Sequence, residues 1–194
     1  MKTTELLGAK VLLPKKPATK GKHAGKERFS KLGRIHNVVF APFKQGRPSQ
    51  VVGVMVQKPD IAGMIKQDDA FVTLESLETI EQGLCVKDPQ NNVDKAAIKH
   101  LNLDFDNCIL WHGMEARTKS GKTLGYVSGA EFDQVTGVVS AFLVGDGAGS
   151  EALVGSFAIK PEWLLGYSNG AMILSDEAAD AQLTGGLAAK AGEG

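Results

Sequence analysis

Hydrophobic residues along this chain occur in short runs that alternate with polar positions, which is the period of a β-strand rather than of a helix. The clearest runs are Leu32–Phe40 and Gln50–Lys58, and the segment between them contains the turn-forming sequence Gln45–Pro48. Runs of this length, bounded by glycine and proline, predict strands that are joined by turns.

The same pattern extends over most of the chain and predicts few helices. Predicted strand segments are Glu5–Leu13, Leu32–Phe40, Gln50–Lys58, Ala70–Leu74, Gly83–Val86, Leu124–Phe132, Val138–Gly145 and Leu153–Ile159. Cys108–Arg117 opens the second half of the pattern and Leu164–Ser175 closes it. Pro14 is expected to end the first strand, and the polar segment Lys15–Lys31 is predicted to be a long loop. Pro59–Asp69 is predicted to be a loop or one helical turn, because Gly63 interrupts its apolar spacing. One short helix, Val93–Leu101, is predicted, with Asn92 or Asp94 as its cap. Many short strands with few helices indicate an all-β barrel or sandwich.

The strand pattern occurs twice along the chain. Gly8 and Gly113 are 105 residues apart; three pairs are 92 apart (Leu32/Leu124, Gly33/Gly125, Phe40/Phe132), and five are 87 apart (Val51/Val138, Val52/Val139, Glu75/Glu162, Leu77/Leu164, Gly83/Gly170). A spacing that is constant over blocks and changes only twice is typical of a duplicated domain with altered loops. The first copy therefore has 13 extra residues (105 − 92) before Leu32, and five more (92 − 87) between Phe40 and Val51.

This duplication predicts the domain organisation. We expect a first small barrel over 1–88 with an inserted basic loop at 15–31, and a linker with a short helix over 89–107. A second barrel is expected over 108–176. Residues 177–194 are rich in alanine and glycine, with almost no large apolar side chain, and are expected to form a disordered tail.

The formal net charge of zero conceals a strong asymmetry. Residues 1–47 hold twelve Lys/Arg and two Glu, a charge of +10, and the remaining residues hold ten Lys/Arg and twenty Asp/Glu, a charge of −10. The candidate binding residues are the cations in and beside the inserted loop: Lys15, Lys16, Lys20, Lys22, Lys26, Arg28, Lys31 and Arg34. They suit an acidic partner, which is RNA, DNA or an acidic protein surface. The alternative is a solvated loop without a dedicated partner. With Phe29 as its one aromatic residue, the loop would bind nucleic acid largely without sequence preference.

No catalytic, metal or cofactor site is predicted. Thr118–Thr123 (TKSGKT) ends like a phosphate-binding loop, but it has Ala116 where that motif needs glycine, and a strand is expected to follow. Gly145–Gly149 is glycine-rich but also precedes a strand. The four histidines and two cysteines lack metal-ligand spacing. Trp111, Trp163 and Tyr167 belong only to the second copy and either fill its core or provide an exposed anchor for a partner.

The location is predicted to be cytoplasmic, without a membrane span. Cys85 and Cys108 have no CxxC spacing, which favours free thiols in a reducing compartment. Met1–Lys10 has no apolar segment typical of a secretory signal. The longest apolar runs are less than half the length that crosses a bilayer.

The ordered series of glycine and apolar positions resembles the PRC-barrel family. In the first copy the series is Leu32-Gly33, Val51-Val52-Gly53, Phe71-Val72, Leu77, Ile80 and Gly83; in the second it is Leu124-Gly125, Val138-Val139, Ile159, Leu164, Tyr167 and Gly170. Two departures are Ser140 in place of the glycine of VVG, and the longer loop at Gly145–Gly149. This small barrel is shared by the reaction-centre H subunit and the C-terminal domain of the ribosome-maturation factor RimM.

The resemblance implies two tandem barrels that dock on a larger assembly by protein contacts, without catalysis and without cofactors. RimM has one such barrel behind a different domain, so its activity does not transfer to this chain. The expected function is therefore a non-enzymatic adaptor for a protein or ribonucleoprotein assembly. The alternative is a nucleic-acid-binding accessory factor, of the ribosome-maturation or RNA-processing type, that acts through the basic loop.

Overall fold

The computed structural model describes residues 1–145 and 156–185, and it is built mainly of strands. The strands are β1 Lys10–Lys15, β2 Arg28–Phe40, β3 Val51–Gln57, β4 Ala70–Thr73, β5 Leu77–Ile80, β6 Gly83–Val86, β7 Glu115–Thr118, β8 Thr123–Phe132, β9 Val139–Gly145, β10 Phe157–Ile159, β11 Leu164–Ser168 and β12 Ala171–Leu174. The helices are α1 Thr3–Leu6, α2 Pro89–Asn92, α3 Asp94–His100 and α4 Glu177–Gly185, and single 3-10 turns cover Leu74–Ser76, Phe105–Asn107 and Pro161–Trp163. The glycine-rich loop, apart from Gly145, and the start of the strand predicted at Leu153–Ile159 lie outside the described residues.

Two six-stranded sheets have the same strand order. The first is β4-β3-β2-β1-β6-β5, and the second is β10-β9-β8-β7-β12-β11. In each sheet one pair is parallel, β1 with β6 and β7 with β12. Each also has an irregularity in the ladder at the equivalent place, Val11/Leu12 in one and Ala116/Arg117 in the other. These features confirm the prediction of a mostly β chain with two halves of like construction.

The residues cluster in two compact units. The N-terminal unit consists of Leu6–Val39 and Val52–Asp106, and the C-terminal unit consists of Met1–Glu5, Phe40–Val51 and Asn107–Gly194. The C-terminal unit thus includes the whole connection between β2 and β3, where the backbone of Val51 donates to Gly137 O at 2.8 Å.

Each unit has its own aromatic core. In the C-terminal unit, Trp111 and Phe142 are buried, and the Phe142 ring lies 6.2 Å from Trp111 and 6.1 Å from Phe40. In the N-terminal unit, Phe71 is buried and its ring lies 5.1 Å from that of Phe105. Burial of these rings and of the strand valines and isoleucines supplies the main apolar area of both units.

The first strand differs from its prediction at both ends. Residues Thr3–Leu6 are helical, the chain turns at Gly8 with φ of 81°, and β1 begins only at Lys10. Pro14 does not end the strand, because it pairs with Phe29 of β2. The ladder between β1 and β6 covers only Val11 and Leu12. At Pro14, β1 therefore pairs with β2 alone, and the missing N–H of proline is tolerated on the other side.

The structure also differs from the prediction of a single helix over Val93–Leu101. Two short helices, α2 and α3, meet at Val93, and neither predicted cap closes α3. Asn92 Oδ1 instead accepts from Thr73 Oγ1 at 2.8 Å, and Asp94 Oδ1 accepts from the backbone of Phe71 at 3.0 Å. Both side chains bind β4, so these helices belong to the N-terminal unit, and their role as a linker is not confirmed.

Part of the Ala/Gly-rich segment is ordered, contrary to the prediction of disorder from residue 177. Helix α4 covers Glu177–Gly185, Ala178 is fully buried, and its backbone donates to Ser175 O at 3.1 Å. Alanine is a strong helix former and can be buried at little entropic cost, so composition alone was misleading here. The predicted tail beyond residue 185 lies outside the described residues.

The turn between β8 and β9 depends on one carboxylate. Asp133 Oδ1 accepts from the backbone of Thr136 at 2.7 Å, from the Thr136 hydroxyl at 3.1 Å and from the backbone of Val135 at 2.9 Å. These hydrogen bonds, led by that of the Thr136 backbone, hold the pKa of Asp133 below its ordinary value. The ionised form therefore stabilises the folded C-terminal unit.

We expect this contribution to be present above pH 4 and to be lost as the pH falls through the lowered pKa of Asp133, below the ordinary aspartate pKa of about 3.9. Asp133→Asn keeps an acceptor oxygen but cannot titrate. The difference in urea midpoint between the wild-type protein and this variant should therefore shrink between pH 7 and pH 2.5. Asp60→Asn, which removes an exposed carboxylate elsewhere in the chain, is the control for the change in net charge. A pH-independent difference for Asp133→Asn would contradict the assignment.

Candidate functional site

The sequence-predicted cations lie on one long hairpin, defined here as the cationic hairpin, Lys15–Arg34. The sequence predicts a loop over the whole insertion, but part of the insertion is strand. The ladder between β1 and β2 continues through Leu13↔Ser30 to Lys15↔Arg28, and only residues 16–27 form the connecting loop. Strands β1 and β2 have six and 13 residues, whereas their counterparts β7 and β8 have four and ten. The extra residues therefore lengthen both strands as well as the loop.

All eight predicted cations are exposed. Lys16, Lys20, Lys22 and Lys26 lie on the loop, Lys15 and Arg28 flank it, and Lys31 and Arg34 lie further along β2. Arg34 Nη1 also donates to Gly8 O at 2.9 Å, which gives this residue a structural role. Glu27 is the one acidic residue between Lys15 and Arg34, so the hairpin has a net charge of +7 (eight cations, one anion). The structure thus places the predicted residues on one exposed cationic element.

The C-terminal unit carries a groove that sequence patterns did not predict. Its volume is about 580 Å³, and it lies between the turn at 43–49, the start of β9 and the segment Pro161–Leu165. Phe43, Val139 and Leu165 supply apolar surface, and Arg47 and Glu162 supply one charge of each sign. Three segments distant in sequence build this groove. The only local signal was the five-residue difference in turn length between the two copies.

Exposed apolar side chains lie on edge strand β11, which contributes Leu165 to this groove. Leu165 and Tyr167, on edge strand β11, are 44% and 54% exposed. Trp111 is buried, and its ring meets that of Tyr167 edge-on at 6.3 Å between centroids. Trp163 is half-buried, with Lys160 Nζ 5.4 Å from its ring centroid. Of the three aromatic residues singled out from the sequence, Trp111 therefore belongs to the core and Tyr167 is the exposed one.

The segment that resembles a phosphate-binding loop is a hairpin turn. Thr118 N–H donates to Lys122 O at 2.8 Å, Gly121 has φ of 96°, and strand β8 follows at once. Asp176 Oδ1 accepts from the hydroxyl and the backbone of Ser120, at 2.7 and 3.0 Å, and these bonds lower the pKa of Asp176. A phosphate-binding loop needs a helix directly after it in sequence, and here strand β8 takes that place.

A second polar cluster stabilises the neighbouring strands. Glu115 accepts from Arg117 Nη2 at 2.8 Å and from the Thr123 hydroxyl at 2.7 Å. The hydrogen bond from Arg117, followed by that from Thr123, lowers the pKa of Glu115, and the same pair raises the pKa of Arg117. Both shifts favour fixed charges, which is the behaviour of a structural ion pair rather than of an acid or base that exchanges protons near neutral pH.

Neither cysteine forms a disulfide. Cys85 is buried on β6, and burial, followed by the negative charges of Glu78 and Glu27, raises the pKa of its thiol. A raised pKa disfavours the reactive thiolate. Among the described residues, no group of three or more His, Cys, Asp and Glu side chains is placed to hold a metal ion.

No protein-family model matches the chain, and no curated protein matches it. Within residues 1–145 and 156–185, no helix combines the length and the apolar character that crossing a bilayer requires.

Proposed function

We propose that this protein is a non-enzymatic adaptor with two tandem PRC-type barrels, and that it binds a protein or ribonucleoprotein assembly in the cytoplasm. The observation that carries the proposal is the groove of the C-terminal unit, an apolar surface beside an edge strand. Neither Cys85 nor Cys108 is in a disulfide, which fits a reducing compartment.

The connection between the edge strands supports a barrel-like sheet. Strands β4 and β5 are at opposite edges of the first sheet, yet only the turn Leu74–Ser76 separates them in sequence. Six flat strands would place the edges about 24 Å apart, at about 4.8 Å per spacing. The chain from Thr73 to Leu77 spans at most about 14 Å. The sheet must therefore curl, and Pro161–Trp163 imposes the same requirement on β10 and β11. No ladder joins the two edges of either sheet in the described residues, so each proposed barrel is incompletely closed.

We infer that the groove accepts an extended segment of a partner protein. Among residues 1–145 and 156–185, no strand pairs with the outer side of edge strand β11, and an added strand can bond to such an edge while its side chains enter neighbouring pockets. Leu165 and Tyr167 offer apolar contact beside it, and the opposite charges of Arg47 and Glu162 can fix the direction of the segment. Tyrosine and arginine are the residues that most often dominate such interfaces.

Affinity capture from the native host, followed by binding measurements with the purified partner, tests this proposal. We expect the double variant Leu165→Glu/Tyr167→Glu to weaken partner binding at least about tenfold, because it places charge in an apolar contact. Tyr126→Glu is the matched control, since Tyr126 is 47% exposed in the same unit but lies on β8 rather than on edge strand β11. The absence of any reproducible partner, or unchanged binding by the double variant, would refute the proposal.

The cationic hairpin favours a second candidate, a nucleic-acid-binding accessory factor. Lys20, Lys22 and Lys26 lie exposed on its loop, without the aromatic residues that read bases. Their replacement by alanine should lower RNA or DNA affinity and reduce the slope of log K against log salt by roughly 0.9 per lost phosphate contact on duplex DNA. Unchanged affinity and slope would exclude this candidate.

A further inference from the structure

A short apolar tip projects from the connection between β3 and β4 in the N-terminal unit. We define the apolar tip as Ile61–Ile65. The backbones of Ile61 and Ile65 pair with each other at 2.9 and 3.1 Å, and the chain reverses at Ala62 and Gly63 with φ of 52° and 70°. At its base, Gln67 Nε2 donates to Pro59 O at 2.7 Å. The tip is therefore a defined turn rather than an irregular loop.

The side chains of this tip point into solvent. Met64 is 84% exposed, Ile65 is 61% exposed and Ile61 is 52% exposed. Three large aliphatic side chains within five residues add nothing to the core, and such clustering on a surface is typical of an interaction site. The sequence could not predict this exposure, because the same residues at the same spacing would suit a buried helical turn.

The apolar tip and the cationic hairpin project from the same end of the first sheet. Ala41 N–H donates to Gln50 O, and Gly33 faces the backbone of Gln57, so β2 and β3 are antiparallel. Strand β1 is antiparallel to β2, and β3 is antiparallel to β4. Consequently β1 ends, and its loop begins, at the same end of the sheet where β3 leads into the apolar tip.

The two segments that project from this end are together positively charged. Residues 15–28 contain six Lys/Arg and one Glu, and residues 58–69 contain two Lys and three Asp, which gives a net charge of +4. One of those aspartates, Asp69, lies 3.1 Å from His36 Nε2. Exposed aliphatic residues beside a cluster of lysines match an anionic lipid surface, where the former enter the interface and the latter meet the headgroups.

We propose that this end of the N-terminal unit binds an anionic lipid surface as a peripheral contact. The chemistry favours lipid over nucleic acid, because aliphatic side chains cannot stack on bases. In a complex with nucleic acid, the side chains of the apolar tip would gain no apolar contact. The proposal does not depend on the groove of the C-terminal unit, which can be occupied or vacant while the lipid contact forms. It assigns the two loops one joint role: the lysines attract the surface and the apolar tip anchors the protein on it.

Flotation of the full chain with lipid vesicles tests the proposal. We expect binding to vesicles of phosphatidylcholine with roughly one-third phosphatidylglycerol, and little binding to phosphatidylcholine alone. Met64→Glu/Ile65→Glu should lower the partition constant at least about tenfold by removing the apolar anchor. Lys20→Ala/Lys22→Ala/Lys26→Ala should weaken binding and flatten its dependence on salt. The matched control is Val135→Glu, at an 83% exposed apolar residue in the C-terminal unit, which should bind as the wild-type protein does.

Three results would overturn the lipid assignment. The first is equal binding to neutral and anionic vesicles, and the second is wild-type partitioning of Met64→Glu/Ile65→Glu. The third is binding of a single-stranded oligonucleotide, insensitive to the tip substitutions, by a chain that does not float with anionic vesicles. All substituted side chains are exposed, so circular dichroism should show that each variant folds as the wild-type protein does. Loss of partner capture by the groove variant with intact vesicle binding would separate this proposal from the adaptor function.

Discussion

Replacing Gly33 by alanine is expected to destabilise the N-terminal unit by about 3 kcal/mol, the upper part of the range for overpacking. A Cβ atom at Gly33 would overlap the carbonyl oxygen of Gln57 and lie 2.7 Å from its carbon. The obstacle is backbone rather than the end of a flexible side chain, so relief requires β2 and β3 to separate. Urea denaturation followed by far-UV circular dichroism measures the effect.

Gly125 is the counterpart of Gly33 in the second sheet and should behave in the same way. A Cβ atom there would overlap the carbonyl oxygen of Gly145, and φ of 135° adds backbone strain. Gly46→Ala is the control, because Gly46 has a positive φ but open space around it, so strain of about 1 kcal/mol is its only cost. If Gly33→Ala costs no more than Gly46→Ala, the close approach of the strands is not the reason for the glycine.

These two glycines show what the sequence predicts and where prediction stops. Their recurrence after a leucine, 92 residues apart, is part of the series of spaced pairs that predicts a repeat. Gly33 is required because β3 lies so close to β2. That close approach depends on strand pairing, which the alternation of polar and apolar residues does not specify. The parallel neighbours β1 and β6 are more than 60 residues apart in sequence, and their pairing likewise became visible only in the fold.

One candidate surface could be predicted from the sequence, and two could not. Eight exposed cations were predictable because charge is a property of composition and a run of lysines has no place in a core. The groove beside Leu165 was not predictable, because three distant segments form it. The apolar tip was missed for another reason: Met64 and the isoleucines beside it have a helical spacing that gives no sign of exposure.

The core of the C-terminal unit should be most sensitive at Trp111, the largest fully buried side chain of the described residues. Trp111→Ala removes the ring that meets Phe142 at 6.2 Å and Tyr167 at 6.3 Å, and we expect a loss of about 3–5 kcal/mol in the free energy of unfolding. The cost combines lost apolar burial with a cavity that the surrounding strands cannot fill. Urea denaturation followed by circular dichroism measures it.

Trp111→Leu is the informative companion variant, because the first copy has Leu6 at the equivalent position, 105 residues earlier, and that leucine is only 5% exposed. Leucine fills part of the cavity, so the loss should be clearly smaller than for Trp111→Ala. Tyr167→Ala controls for the edge-on ring contact and should cost about 1 kcal/mol, since Tyr167 is already half exposed. Equal losses for Trp111→Ala and Tyr167→Ala would mean that the ring contact, rather than burial of the indole, stabilises this unit.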